Sequence, residues 1–167
     1  MPYSDNLIRI AVIGAGYHSR TFHLPALAHF RQLHPGVVAL AAIVDPNLAV
    51  ASEVAAKFGF ERAYASTDEM LAQAQPDASL VLTPVEFNAS VATQIARLGL
   101  PLLMEKPPGA TIQEARDLVE ELVTIRARVM VSMNRRFDPL LRDALAWIGA
   151  RPIRQVKATM ARVGRTE

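Results

Sequence analysis

Gly14-Ala15-Gly16-Tyr17-His18-Ser19 follows directly on the apolar run Leu7 to Ile13 and opens a stretch of helical spacing. That context gives the glycines a chemistry. The free N–H groups and dipole at a helix start favour an anion. Gly14 permits a tight turn, and Gly16 lets the backbone approach a pyrophosphate, as in a dinucleotide-binding loop. The third position of the pattern is Ser19 rather than glycine, a residue small enough for close helix-to-strand packing and able to cap a helix. A glycine turn without a ligand is the competing reading. Asp45 closes a second apolar run, Val37 to Val44, where a carboxylate can accept hydrogen bonds from ribose hydroxyls. A 2′-phosphate would meet its charge, and no Arg follows in Asp45-Pro46-Asn47, so NAD is favoured over NADP. The alternative for Asp45 is a helix N-cap.

The elements that must position these residues follow from periodicity. Ala78 to Leu82, Leu102 to Met104 and Val129 to Met133 repeat the short apolar runs, each ending at a polar or turn residue. Between the runs lie segments of helical spacing, about Ser19 to Leu33, Leu48 to Phe58, Glu69 to Gln73, Phe87 to Leu98 and Ile112 to Ile125. Gly59 and Gly99 fall at expected C-caps, Thr111 with Glu114 makes a capping box, and Tyr64 marks a short extra strand. The alternation predicts an α/β fold, a doubly wound and mostly parallel sheet with helices on both faces and ligands at the strand carboxyl edge. Asp138 to Ile148 reads as a further helix and Pro152 to Val163 as a strand without a place in the first sheet. These divide the chain into a nucleotide-binding domain over 1–150 and, over 151–167, the start of a second domain; pairing of that strand with the sheet edge is the alternative.

Composition narrows the class. The chain has 167 residues, 51% hydrophobic and 20% charged, with no Cys, which excludes disulfides, thiolate metal sites and a cysteine nucleophile. A chain of this size buries about 70% of its unfolded surface, enough for an ordinary core. The longest apolar stretch, Gly36 to Val44, is too short to span a membrane, and Asp5 and Arg9 interrupt any leader, so a soluble, cytoplasmic protein is expected. Residues 1–123 hold 8 basic and 13 acidic side chains, whereas residues 124–167 hold 10 and 3. Such a basic tail faces cofactor phosphates, an acidic partner, nucleic acid, or only solvent. Nucleic acid is disfavoured, because no aromatic interleaving or recognition helix accompanies Arg151, Arg154, Lys157, Arg162 and Arg165. His18, His23, His29 and His34 show no i, i+4 pair and no carboxylate at ligand spacing, so no metal is expected.

The segments G-A-G-Y-H-S-R-T-F-H-L-P-A-L, V-D-P, L-T-P, M-E-K-P and M-N-R-R-F-D-P together resemble the N-terminal half of the glucose-fructose oxidoreductase/inositol dehydrogenase (Gfo/Idh/MocA) family. Glu105-Lys106-Pro107 after the fifth strand is the most diagnostic of them. The resemblance implies a Rossmann domain whose second, α/β domain is absent from this chain. It implies an NAD site formed by Gly14, Gly16, Tyr17, His18, Ser19, Asp45, Thr83, Pro84, Asn88, Glu105, Lys106 and Arg136. Thr83 and Pro84 would line the nicotinamide ribose, Lys106 would touch the substrate hydroxyl or carbonyl, and Pro107 would hold that loop through a cis bond. Lys106 also has a chemical reason of its own, since a cation at a reacting oxygen stabilises developing alkoxide charge. The bland alternative is a surface lysine paired with Glu105. Asn88 stands where the family often has histidine, and Arg136 suits a carboxylate or phosphate, or a structural ion pair. The family's Asp and His pair comes from its second domain, and no His follows His34 here. The resemblance thus implies the cofactor-binding part of an NAD-dependent oxidoreductase for a small sugar, polyol or related hydroxy or carbonyl compound, with a non-catalytic NAD(H)-binding module or sensor subunit as the alternative. Homo-oligomers in this family form through the second domain, so this chain is expected to be monomeric or to pair through Pro152 to Val163.

Overall fold

The computed structural model describes residues 7–157 and 159, whose contacts form two compact units, one ending at Ser132 and the other beginning at Met133. The first is built on a six-stranded sheet, β1 (Ile8–Ile13), β2 (Val38–Val44), β3 (Arg62–Tyr64), β4 (Ala78–Val81), β5 (Leu102–Met104) and β6 (Val129–Val131). All neighbours are parallel, in the order β3-β2-β1-β4-β5-β6. The chain moves outward from β1 to β3, returns beside β1 as β4, and moves outward again. The reversal between β1 and β4 opens a crevice at the strand carboxyl ends.

The connecting helices are α1 (Leu24–Leu33), α2 (Leu48–Phe58), α3 (Thr67–Ala74), α4 (Val85–Arg97) and α5 (Ile112–Thr124). Successive strand residues face opposite sides of the sheet. Val12, Leu40 and Ile43 pack with Leu24 of α1 and Val54 of α2, Leu40 and Ile43 sharing this face because the register of β1 against β2 shifts between Ile10 and Ala11. Ala11, Ile13 and Val44 pack on the other face with Met70 of α3, Ile95 of α4 and Leu118 of α5. Burial on both faces explains why the strands read as continuous apolar runs rather than alternating ones.

Side chains set most helix starts. Ser66 accepts from Glu69 N at 3.2 Å, which begins α3 two residues earlier than periodicity indicates. Thr111 accepts from Glu114 N at 3.1 Å while the Glu114 carboxylate accepts from Ala110 N at 2.9 Å, the reciprocal pair expected there. Asn47, not Asp45, caps α2. The expected helix from Ser19 to Leu33 is divided. Ser19–His23 is a π-helical turn, closed by Leu24 N donating to Ser19 O, and α1 follows. Pro25 accounts for the division, because it has no N–H to offer the carbonyl four residues back.

The second unit contains a 3₁₀ turn, Asn134–Phe137, and α6 (Pro139–Ile148), whose cap is Asp138, accepting from Leu140 N at 3.0 Å. Arg151 stacks over Trp147, 4.4 Å from the ring centroid, and donates to the carbonyls of Ile148 and Trp147. Pro152 to Lys157 is irregular, in contrast to the strand expected over Pro152 to Val163. A strand needs a neighbour for its N–H and C=O groups, and no described residue pairs with this segment; residues 158 and 160–163 lie outside those described. Among the described residues no helix is long and apolar enough to cross a membrane.

Candidate functional site

Strand register builds the site. Ile13 lies between Val44 and Val81, Met104 lies between Val81 and Val131, and Tyr64 pairs with Val44, so six strand ends form one row. The residues that follow continue the ladder for one more step: Gly14 N donates to Val44 O, Asp45 N to Tyr64 O, Leu82 N to Ile13 O, Glu105 N to Val81 O and Ser132 N to Met104 O. Gly14, Asp45, Glu105 and Ser132 are therefore aligned along one edge by the backbone itself.

Gly14 has φ +104°, and a Cβ there would stand 2.4 Å from Leu82 O, so only glycine lets β1 turn this close to β4. A Cβ on Gly16 would meet nothing within 4 Å; the loop is open above that residue. Asp45 fixes the loop between the glycines, its Oδ2 accepting from Ala15 N at 3.0 Å and its Oδ1 from Asn47 N at 2.9 Å. Each oxygen retains acceptor capacity. Beside them lies a cleft of about 570 Å³ bounded by Gly14, Asp45, Asn47, Ser66, Thr83 and Phe87. A mostly apolar cleft with a few convergent polar groups at a glycine turn fits a dinucleotide.

Ser19 packs fully buried, as the third glycine position requires, but its hydroxyl does not cap a helix and has no protein partner. The helix begins at this point as a π turn with its flanking residue His18 already helical, which removes the extended geometry that an N-cap needs. Tyr17 is exposed and meets Phe22 edge-on, with centroids 6.5 Å apart.

Across the crevice, Asn88 is buried in the first turns of α4, which Pro84 opens. Its Oδ1 accepts from Thr83 Oγ1 at 2.8 Å, and its Nδ2 donates to Glu105 O at 3.3 Å and Pro107 O at 3.0 Å. The side chain is thus a strut between two loops, with its hydrogen-bonding groups engaged inside the protein. Lys106 lies in the strutted loop, exposed and followed by a cis bond to Pro107. Its backbone N–H donates to Glu105 Oε2 at 3.1 Å, while the ion pairs of Glu105 are with histidines, so among the described residues the Lys106 ammonium has no acidic partner.

The histidines hold what spacing did not reveal. His23 Nε2 lies 2.8 Å and His18 Nε2 lies 3.4 Å from Glu105 Oε1. A π turn places residues i and i+5 on one face, and the rings lie 5.3 Å apart. Pro25, two residues past His23, was the available sign of an altered turn. Burial pushes the Glu105 carboxyl up, but hydrogen bonds from His23, the Ser132 hydroxyl and Lys106 N–H, with the charge of His18, outweigh it and hold the group below its ordinary range. Arg136 belongs to the second unit, where its guanidinium lies over the Phe137 ring at 5.9 Å.

Comparison with known proteins agrees with this architecture. The chain is 30% identical over 135 residues to the rhizopine catabolism protein MocA of Rhizobium meliloti, covering 81% of this chain and 40% of that protein. It is 29% identical over 132 residues to an inositol 2-dehydrogenase of Rhizobium meliloti strain 1021, covering 79% and 38%. Among solved structures, a putative myo-inositol dehydrogenase of Sinorhizobium meliloti 1021 superposes with TM-score 0.72 at 27% identity, over 84% of this chain and 41% of that one. The scyllo-inositol dehydrogenase of Lactobacillus casei, solved with NAD(H) and scyllo-inositol, shares the fold at TM-score 0.75 and 21% identity, over 86% and 41%. The chain spans about 40% of the length of these relatives. The sequence pattern of the oxidoreductase family with an NAD-binding Rossmann fold matches residues 8–133. That match runs from the first strand of the sheet to just beyond the last, and the chain belongs to the Gfo/Idh/MocA oxidoreductase family, whose NAD-binding Rossmann fold it carries.

Proposed function

We propose that this chain is the cofactor-binding part of an NAD-dependent oxidoreductase acting on a sugar, polyol or related hydroxy compound. The observation that carries the reading is the placement of Lys106, exposed and without an acidic partner among the described residues, on a loop held to Thr83 by Asn88 at the edge that also holds Gly14 and Asp45. The relatives named inositol 2-dehydrogenase support the substrate class.

NAD, when bound, supplies the hydride acceptor for alcohol oxidation. The residues of this chain supply the rest of the cofactor half. The loop from Gly14 to Ser19 offers backbone N–H groups to the pyrophosphate, and Asp45 accepts from the adenosine ribose and repels a 2′-phosphate. Thr83 and Pro84 line the nicotinamide ribose. The Lys106 ammonium stabilises negative charge on the substrate oxygen and donates its proton there in the reducing direction.

A fluorescence titration of the chain with NADH and, separately, NADPH at fixed salt tests the cofactor assignment. Saturable binding that prefers NADH is expected; equal affinities would overturn the role of Asp45, and no binding would overturn the site. Assay of the protein joined to its substrate domain, with NAD and a polyol panel, tests the reaction. Absence of NAD reduction with every polyol would overturn it.

A further inference from the structure

We propose that His18, His23 and Glu105 form a binding site for one divalent transition-metal ion of the zinc type. One ring nitrogen of each histidine and a carboxylate oxygen all lie within 4.8 Å of one another. Two imidazoles and one carboxylate suit zinc, cobalt or ferrous iron better than magnesium or calcium.

The three ligands come from fixed elements. The histidines bracket the π turn, and Glu105 ends β5 with its backbone still in the sheet ladder. An outer partner orients the carboxylate, since Lys106 N–H donates to Oε2 at 3.1 Å. Glu105 and His23 are largely enclosed, whereas the His18 side chain is 49% exposed, so protein covers one side of the centre and the other is open to water or a ligand oxygen. Three protein ligands with an open position is the arrangement of reactive rather than structural zinc sites.

Charge argues in the same direction. A buried carboxylate needs a compensating cation, yet among the described residues neither Lys nor Arg pairs with Glu105. Its partners are two imidazoles, which carry charge only when protonated, whereas a divalent ion compensates the carboxylate with both imidazoles neutral. The fit is close. Tetrahedral ligation at about 2.0–2.1 Å puts ligand atoms roughly 3.3 Å apart. His18 already stands 3.4 Å from Oε1, and His23 at 2.8 Å has to retreat by only a fraction of an ångström.

The test uses the chelator-stripped chain without nucleotide, so its outcome is separate from that of the NADH titration. Zn²⁺ is followed by calorimetry and Co²⁺ by its visible ligand-field bands. One ion per chain is expected, with affinity reduced at least about tenfold in His18→Ala and in Glu105→Gln. The exposed His29→Ala serves as control and retains the affinity of the parent. Circular dichroism of each variant reports folding; should Glu105→Gln fail to fold, the half-exposed His18 decides. Absence of saturable binding, or unchanged affinity in His18→Ala, would show a purely hydrogen-bonded His-Glu-His cluster and overturn the proposal.

Discussion

Asn88 clamps the chain on both sides of Lys106, donating from a single amide nitrogen to the carbonyls of Glu105 and Pro107. With the Thr83 hydroxyl as third partner, the amide's donor and acceptor ends are both matched. Asn88→Ala leaves buried acceptors unsatisfied, a loss of about 2–3 kcal/mol. Asn88→Asp is expected to be worse, because a carboxylate oxygen would then face two carbonyl oxygens. Urea denaturation midpoints should fall in the order parent, Asn88→Ala, Asn88→Asp; the reverse order for the two variants would mean that the clamp does not bear on stability through its donor.

The two loop glycines should separate stability from binding. Gly14→Ala adds a methyl against Leu82 O at an unfavourable φ and should destabilise the fold by about 2–4 kcal/mol. Gly16→Ala enters open space, so its melting temperature should remain near that of the parent while NADH affinity drops about tenfold or more. Comparable effects of the two substitutions on melting would contradict the division of labour.

Glu105 gives the acid limb of stability a definite sign. Its carboxyl is held below the ordinary range in the folded protein. The stabilisation is therefore present above the unfolded value of about 4.3 and disappears as pH falls through the folded value. With chelator present, Glu105→Gln should cost about 2 kcal/mol near neutrality. The difference from the parent should shrink as pH falls below the unfolded value and through the lower folded one. A difference independent of pH would show that the carboxylate charge is not its source.

Lys106→Ala removes a surface cation that the fold does not use. Stability should change by less than about 0.5 kcal/mol and NADH affinity by little, since the ammonium is assigned to the substrate oxygen. In the protein joined to its substrate domain, turnover should fall by about 10²–10⁴-fold. Loss of NADH affinity in place of turnover would move Lys106 from the reacting oxygen to the cofactor.

Much of this architecture could be read in advance because its causes are local. β-branched runs covered on both faces announced β1, β2 and β4, and Gly14 and Asp45 could be placed at the carboxyl edge because each ends such a run. The Thr111 and Glu114 cap is a pattern within four residues. What escaped depended on distant or conditional geometry. Asn88 meets Glu105 and Pro107 only after a crossover brings α4 beside β5, so its part as a strut has no signature near residue 88. His18 and His23 appeared unrelated because i+5 is not a helical neighbour spacing unless the turn widens. Pro152 to Lys157 carried a strand's alternation, but alternation does not supply a pairing partner.

The widened turn before α1 makes the number of residues between the two histidines matter as much as their identity. Each residue of an α-helix advances the side-chain direction by about 100°. A chain shortened by one residue between Ser19 and Phe22 could close that stretch as ordinary helix, keeping the glycine loop and α1 while bringing His18 and His23 to a spacing of four. Four residues apart on an ordinary helix, the two rings would again share one face, so the extra residue of the π turn and the five-residue spacing of the histidines are matched: a deletion that removes the one turns the other into an ordinary helical pair.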